Sequence, residues 1–247
     1  MIWLVATALA GTPFEAGLLR RSPRTPSAML TEQGVLGSSL MSFTRLEVGA
    51  PVWWSGSRQA GFALSADGAL YAGYVPKEDR SGFMLRNAGG GLWFLLGNAQ
   101  VQHSIGLLAR AAPLPGGAYG VARDEASGLS IGAAYRLRVE RRVFDFDLAV
   151  DGGFSSLSLI RLDVNPNLTF KLANLPVGFQ VGGLLGLQNL AFLSMGVRVQ
   201  PTPGLELGAT ALLGAEVFTE TLNAKSAHIH LSPMITARFQ IPEKSTP

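Results

Sequence analysis

The chain has 247 residues, of which 47% are hydrophobic and only 15% charged, with 30 Gly, no Cys and a formal net charge of +3. Soluble domains average about 25% charged residues and about 7% Gly, so this chain is short of surface charge and rich in glycine. Abundant Leu, Val and Phe exclude a disordered polar chain, glycine without a three-residue repeat excludes collagen, no long basic block points to nucleic acid, and the missing cysteine removes disulfides, thiolate metal sites and cysteine nucleophiles.

Taken in chain order, residues 1–10 form an apolar stretch ending in Ala8-Leu9-Ala10, the small-x-small form that signal peptidase reads, without a basic segment before it. Residues 11–33, with Arg20, Arg21, Pro23, Arg24 and Pro26, show no period and read as an irregular N-terminal leader. From residue 34 onward the signal is period two. Strands are predicted at 43–54, 59–66, 69–76, 90–97, 99–110, 128–140, 142–152, 156–173, 177–188, 191–200, 205–217 and 226–241. Several are long, whereas ordinary strands have about 5 to 6 residues and strands tilted across a bilayer about 9 to 11. The stretch 172–197 carries no charge, and Gly178, Gly182 and Gly186 are spaced as in packed transmembrane helices. Its large residues alternate with small or polar ones, so two strands joined near Gln188 and Asn189 fit better than a spanning helix.

Which face meets water decides the class. In the last strand Ile229, Leu231, Ile235 and Phe239 share one face, and His228, His230, Ser232, Thr236 and Arg238 share the other. Elsewhere the polar parity is mostly Gly, Ser, Thr, Gln and Asn, where a soluble sheet would present Lys and Glu. The apolar parity therefore reads as lipid-facing, and the pattern predicts an all-β, antiparallel up-and-down transmembrane β-barrel of about twelve strands, within a range of 8 to 14. Its domain is expected over 34–241, with 242–247 as a tail. Short connections at 67–68, 98, 141, 174–176 and 201–204 fall on one side and long ones at 76–89, 111–127 and 218–225 on the other, the asymmetry of periplasmic turns and external loops. Trp53, Trp54, Trp93, Tyr71 and Tyr74 suit an aromatic girdle.

The scarce inward charges are expected to pair. A two-residue turn at Arg141-Arg142 sets Arg138 opposite Asp145 and Arg136 opposite Asp147. A turn near Phe154 then brings Asp147 to Arg161 and Asp145 to Asp163, and a turn near Thr202 brings Arg198 to Glu206, which also faces Arg238. This network either rigidifies a narrow lumen or lines a polar path. Asp145, Asp147 and Asp151 share a face and read as ion-pair partners. No Gly-x-Gly-x-x-Gly, Walker-type loop or His-Glu-x-x-His occurs, and no catalytic residue, cofactor or metal is expected.

With its alternation, loop asymmetry and late aromatic Phe239, the chain resembles bacterial outer-membrane β-barrel proteins over about residues 34–241, although it continues past Phe239 to Pro247. The resemblance implies an outer-membrane location, contact with the lipid bilayer and a non-enzymatic role. That role is a porin-like channel or an anchor for an envelope complex serving secretion, motility or polysaccharide export. The alternative is a lipid hydrolase or acyltransferase using His230 and Ser232, two apart on one strand face. Against it, Pro233 follows where an Asn is common in those families, and the pair lies on the inward parity.

Overall fold

Alternating side chains place successive residues on opposite faces of a strand, and a sheet closed on itself leaves no backbone group for lipid to satisfy. The computed structural model describes residues 24–36, 40–75, 80–112, 128–155, 161–173, 175–186, 190–217 and 227–241. Twelve strands occur among them: β1 Ser27–Leu36, β2 Leu40–Trp54, β3 Ala60–Val75, β4 Arg80–Gly97, β5 Val101–Ala112, β6 Gly128–Glu140, β7 Phe144–Ser155, β8 Arg161–Lys171, β9 Val177–Gly186, β10 Leu190–Thr202, β11 Leu205–Val217 and β12 Ala227–Gln240. Each is antiparallel to its sequence neighbours. The first strand also pairs with the last, from Ser27 opposite Gln240 to Leu36 opposite Leu231, and this closes the barrel.

The predicted faces are present. Leu107, Ile235 and Leu185 point outward and are 64%, 65% and 61% exposed, whereas inward Gln33 and Ser194 are 1% and 0% exposed. In water each such apolar side chain would forgo about 1.5–3 kcal/mol of burial, so this exterior belongs in hydrocarbon. The interior holds Arg, Asp, Asn, Gln, Ser and Thr around a small apolar cluster of Ala63, Trp93, Leu95 and Ala134.

The end carrying the described termini has short connections. At the β4–β5 turn Gly97 takes φ 104°, a conformation that side chains disfavour, and Asn98 Oδ1 accepts from the amides of Gln100 and Val101. At the β6–β7 turn the Arg141 amide donates to the Phe144 carbonyl at 2.8 Å. The connections at the other end, the apolar start at 1–10, most of the leader and the tail 242–247 lie outside the described residues.

Three strand expectations are corrected. Residues 27–33, read as leader, belong to β1, because Met29, Thr31 and Gln33 turn inward while Leu30 and Glu32 turn outward. Asp67-Gly68, read as a turn, lies inside β3, because the inward Asp67 carboxylate is held by Arg45 at 2.9 Å. Residues 80–89, read as loop, form the first part of β4. One strand missed and one strand split offset each other, so the count of twelve survives. The 172–197 stretch folds as strands β9 and β10, not as a spanning helix.

Candidate functional site

The inward charges gather toward the end of the barrel that carries the described termini. The turn closing β6 and β7 is centred between Arg142 and Val143, one residue later than expected, so the register moves by two: Arg138 stands opposite Asp147, Glu140 opposite Asp145 and Arg136 opposite Ala149. Arg138 lies 3.2 Å from Glu140, 3.4 Å from Asp147 and 3.5 Å from Asp145. From β8, Lys171 reaches Asp145 at 2.6 Å and Glu140 at 3.6 Å. From β10, Arg198 lies 3.8 Å from both Asp145 and Asp147, and its Nε is 3.6 Å from Glu206. Arg198 is in register with Gly208, so its contact with Glu206 is diagonal. Glu206 is in register with Arg238, as expected, and Arg238 donates to the Met29 thioether at 3.3 Å.

Arg136 forms a separate knot. Its Nη2 meets Asp151 at 2.7 Å, its Nη1 donates to the carbonyls of Tyr135 and Val150, and its guanidinium lies over the Trp93 ring at 5.3 Å. The Trp93 indole N–H in turn donates to Ser65 Oγ at 2.9 Å. Asp163 stands opposite Asp151, not Asp145, and Arg161 pairs with Gly153 while Asn167 takes the place opposite Asp147. The Arg161 side chain falls outside the described residues. An amide chain completes this wall, with Gln180 donating to Asn167 at 2.9 Å and Asn167 to Asn165 at 2.6 Å.

Buried charges need partners, which explains why nearly every cation here touches two or more acceptors. The sequence reading left out Lys171, Glu140 and the triad of Arg45 with Asp67 and Glu47, at 2.9 and 3.8 Å. Their inward parity was the available signal; reading Asp67 as a turn residue hid the triad. Trp93 is also relocated. It is inward and 4% exposed, so it belongs to the plug, whereas Trp53 packs outside at 5.8 Å from Phe62 and suits a girdle.

Beyond the charged ring, inward side chains are packed out of contact with solvent. Thr31, Leu95, Ser104, Ser194, Leu212 and Met234, from six strands, are all less than 2.5% exposed. Below them a vestibule of about 750 Å³ opens at the end with the described termini, where seven Arg or Lys side chains face four carboxylates. Ser232 lies in the packed layer. Its hydroxyl donates to the Gly34 carbonyl at 2.6 Å and accepts from Gln33 at 2.9 Å. His230 is in register with Gly214, and its side chain falls outside the described residues. Among the described residues no three His, Asp or Glu side chains converge to hold a metal ion.

A closed sheet that is apolar outside and ionic inside defines a membrane-spanning β-barrel, with the fold of the bacterial outer-membrane class. No protein-family model and no curated protein matches the sequence. Solved structures do match in fold. The NanC porin superposes with TM-score 0.55 at 10% identity, covering 87% of this chain and 100% of the porin. The CymD monoaromatic hydrocarbon channel gives 0.53 at 9% identity, covering 91% and 90%. The Salmonella typhi outer membrane phospholipase dimer with bound calcium gives 0.51 at 12% identity, covering 87% and 90%. A porin, a channel and a phospholipase thus share one architecture, and the architecture does not select among their activities.

Proposed function

We propose that the protein resides in the bacterial outer membrane as a porin-like barrel sealed by its own side chains, a membrane anchor for envelope partners and not a standing diffusion pore. The observation that carries this reading is the packed layer from Thr31 to Met234, in which six strands contribute inward side chains with almost no accessible surface. Twelve strands enclose room for a path, and the burial of Trp93, Leu95, Leu212 and Met234 on the inner face supports its being filled. The ion-pair network then serves as structural filling: Arg136, Arg138, Asp145, Asp147, Asp163, Arg198, Glu206 and Arg238 hold the walls together. The test is planar-bilayer recording of the refolded full chain in 1 M KCl. Flat traces up to 150 mV are expected, and regular single-channel steps at low voltage overturn the sealed barrel. The hydrolase reading loses support because Ser232 faces inward, away from lipid, with its hydroxyl engaged at the Gly34 carbonyl.

A further inference from the structure

The charges of the vestibule do not balance. Seven Arg or Lys side chains against four carboxylates leave three positive charges in excess, and Asp147, just behind the floor, lowers this to two. The carboxylates are also the more fully engaged. Asp145 meets Lys171, Arg138 and Arg198, Glu140 meets Arg138 and Lys171, Glu206 meets Arg198, and Glu47 meets Arg45. Arg142, exposed at the lip, has no ion-pair partner among the described residues. A guanidinium carries five N–H donors and accepts nothing, so surplus donors collect in a bowl backed by packed side chains. Low-dielectric walls focus such a field and draw an anion from the adjoining water.

The lip adds two features that a bare anion would not use. Val143 and Leu175 are exposed there, in turns at the end with the described termini, and Val143 follows Arg142 directly. The Lys171 amide donates to the Val143 carbonyl at 2.9 Å and the Gln200 amide to the Pro176 carbonyl at 2.7 Å, which ties the turns after β6, β8 and β10 into one arc. A cation, two apolar tips and a carboxamide thus share a continuous rim. The carboxamides of Gln200 and of Gln102, which stands opposite Arg138, make no hydrogen bond among the described residues. A carboxamide offers a donor and an acceptor together, as a peptide unit requires. An inorganic polyanion would use donors alone, and an anionic sugar would leave the apolar tips uncovered.

We propose that the vestibule is a socket for an acidic, partly apolar peptide segment of a periplasmic partner protein. The end with short turns and both termini is the periplasmic one in barrels of this class. The segment's carboxylates meet Arg142 and the cations of the bowl, its apolar side chains cover Val143 and Leu175, and its backbone pairs with the carboxamides. This inference rests on the anchor reading above and names the chemistry of the partner.

The probe is a short fluorescent peptide alternating Glu with Leu, titrated into the full chain refolded in detergent and followed by anisotropy. It should bind about tenfold more tightly than the same peptide with Gln for Glu or with Ser for Leu. Arg142→Glu is expected to weaken it about tenfold at low salt, with a smaller effect at high salt. Leu175→Ser should remove most of the preference for the Leu-bearing peptide. Both are exposed turn positions, and the shift in gel migration on heating checks folding. Equal binding of the Gln peptide overturns the proposal, as does an unchanged affinity in Arg142→Glu. Tighter binding of tripolyphosphate or heparin than of the peptide overturns it too, and makes the socket one for a soluble polyanion. Planar-bilayer recording keeps the two readings apart. Single-channel steps with peptide binding intact refute the sealed barrel alone, and flat traces without peptide binding refute the socket alone.

Discussion

Arg136 is the side chain on which the inner wall depends most. Its partner Asp151 lies 2.7 Å away, both are largely buried, and the guanidinium also covers two carbonyls and the Trp93 ring. Removing one member of such a pair leaves an uncompensated charge, which costs about 3–5 kcal/mol, whereas replacing both by apolar groups of similar volume is often neutral. Arg136→Met should therefore lower the urea midpoint of the refolded barrel sharply. Arg136→Met combined with Asp151→Leu should recover most of the loss. A single variant as stable as the parent would show that water reaches Asp151 and that the interior is looser than its packing indicates. The contrast with Ser232 is instructive. Both were legible as inward residues from parity alone, but only the register told which partners they meet.

At the scale of strands, alternation revealed the faces and left the registers open. The clearest case is β6–β7, where a turn centred one residue later moved each predicted pair across it by two positions. Period two is insensitive to such a shift, because a displacement by two keeps each side chain on its face. Charged residues therefore keep their face under such a shift while some of their neighbours change: Arg136 meets Asp151 in place of Asp147, and Asp163 stands opposite Asp151. β1 escaped for a different reason: Thr31, Glu32 and Gln33 are consecutive polar residues, and the outward Glu32 contradicts the rule that marks a lipid-facing strand. The interlock between β4 and β5 was equally hidden. A side chain built at Gly106 would place its Cβ 2.6 Å from Trp93 Cε3, so the indole lies flat against bare backbone. Gly106→Val should push Trp93 off Ser65 and destabilise the barrel by about 1–3 kcal/mol through overpacking. A lowered urea midpoint and a red-shifted tryptophan emission report it, and an unchanged midpoint would mean that the ring has space to retreat.

At the scale of the molecule, the question is what closes the circuit of hydrogen bonds. Both β2 and β12 run antiparallel to β1, so they are parallel to each other and meet only through it. Without β1, eleven strands cannot close by an antiparallel pair, and two exposed edges would face hydrocarbon, where each unsatisfied backbone group costs several kcal/mol. The composition that made this chain odd as a soluble protein is no help then, because its apolar face finds lipid whether or not the sheet is closed. Deleting residues 1–33, which the leader reading would treat as dispensable, is thus expected to abolish the compact band that an unboiled, refolded barrel shows on a gel, and to render the β2 and β12 edges sensitive to trypsin. Deleting residues 1–23, which leaves β1 whole, should retain the band. A compact, protease-resistant barrel in the longer deletion would mean that β12 and β2 have joined directly in parallel, and that closure does not rest on β1.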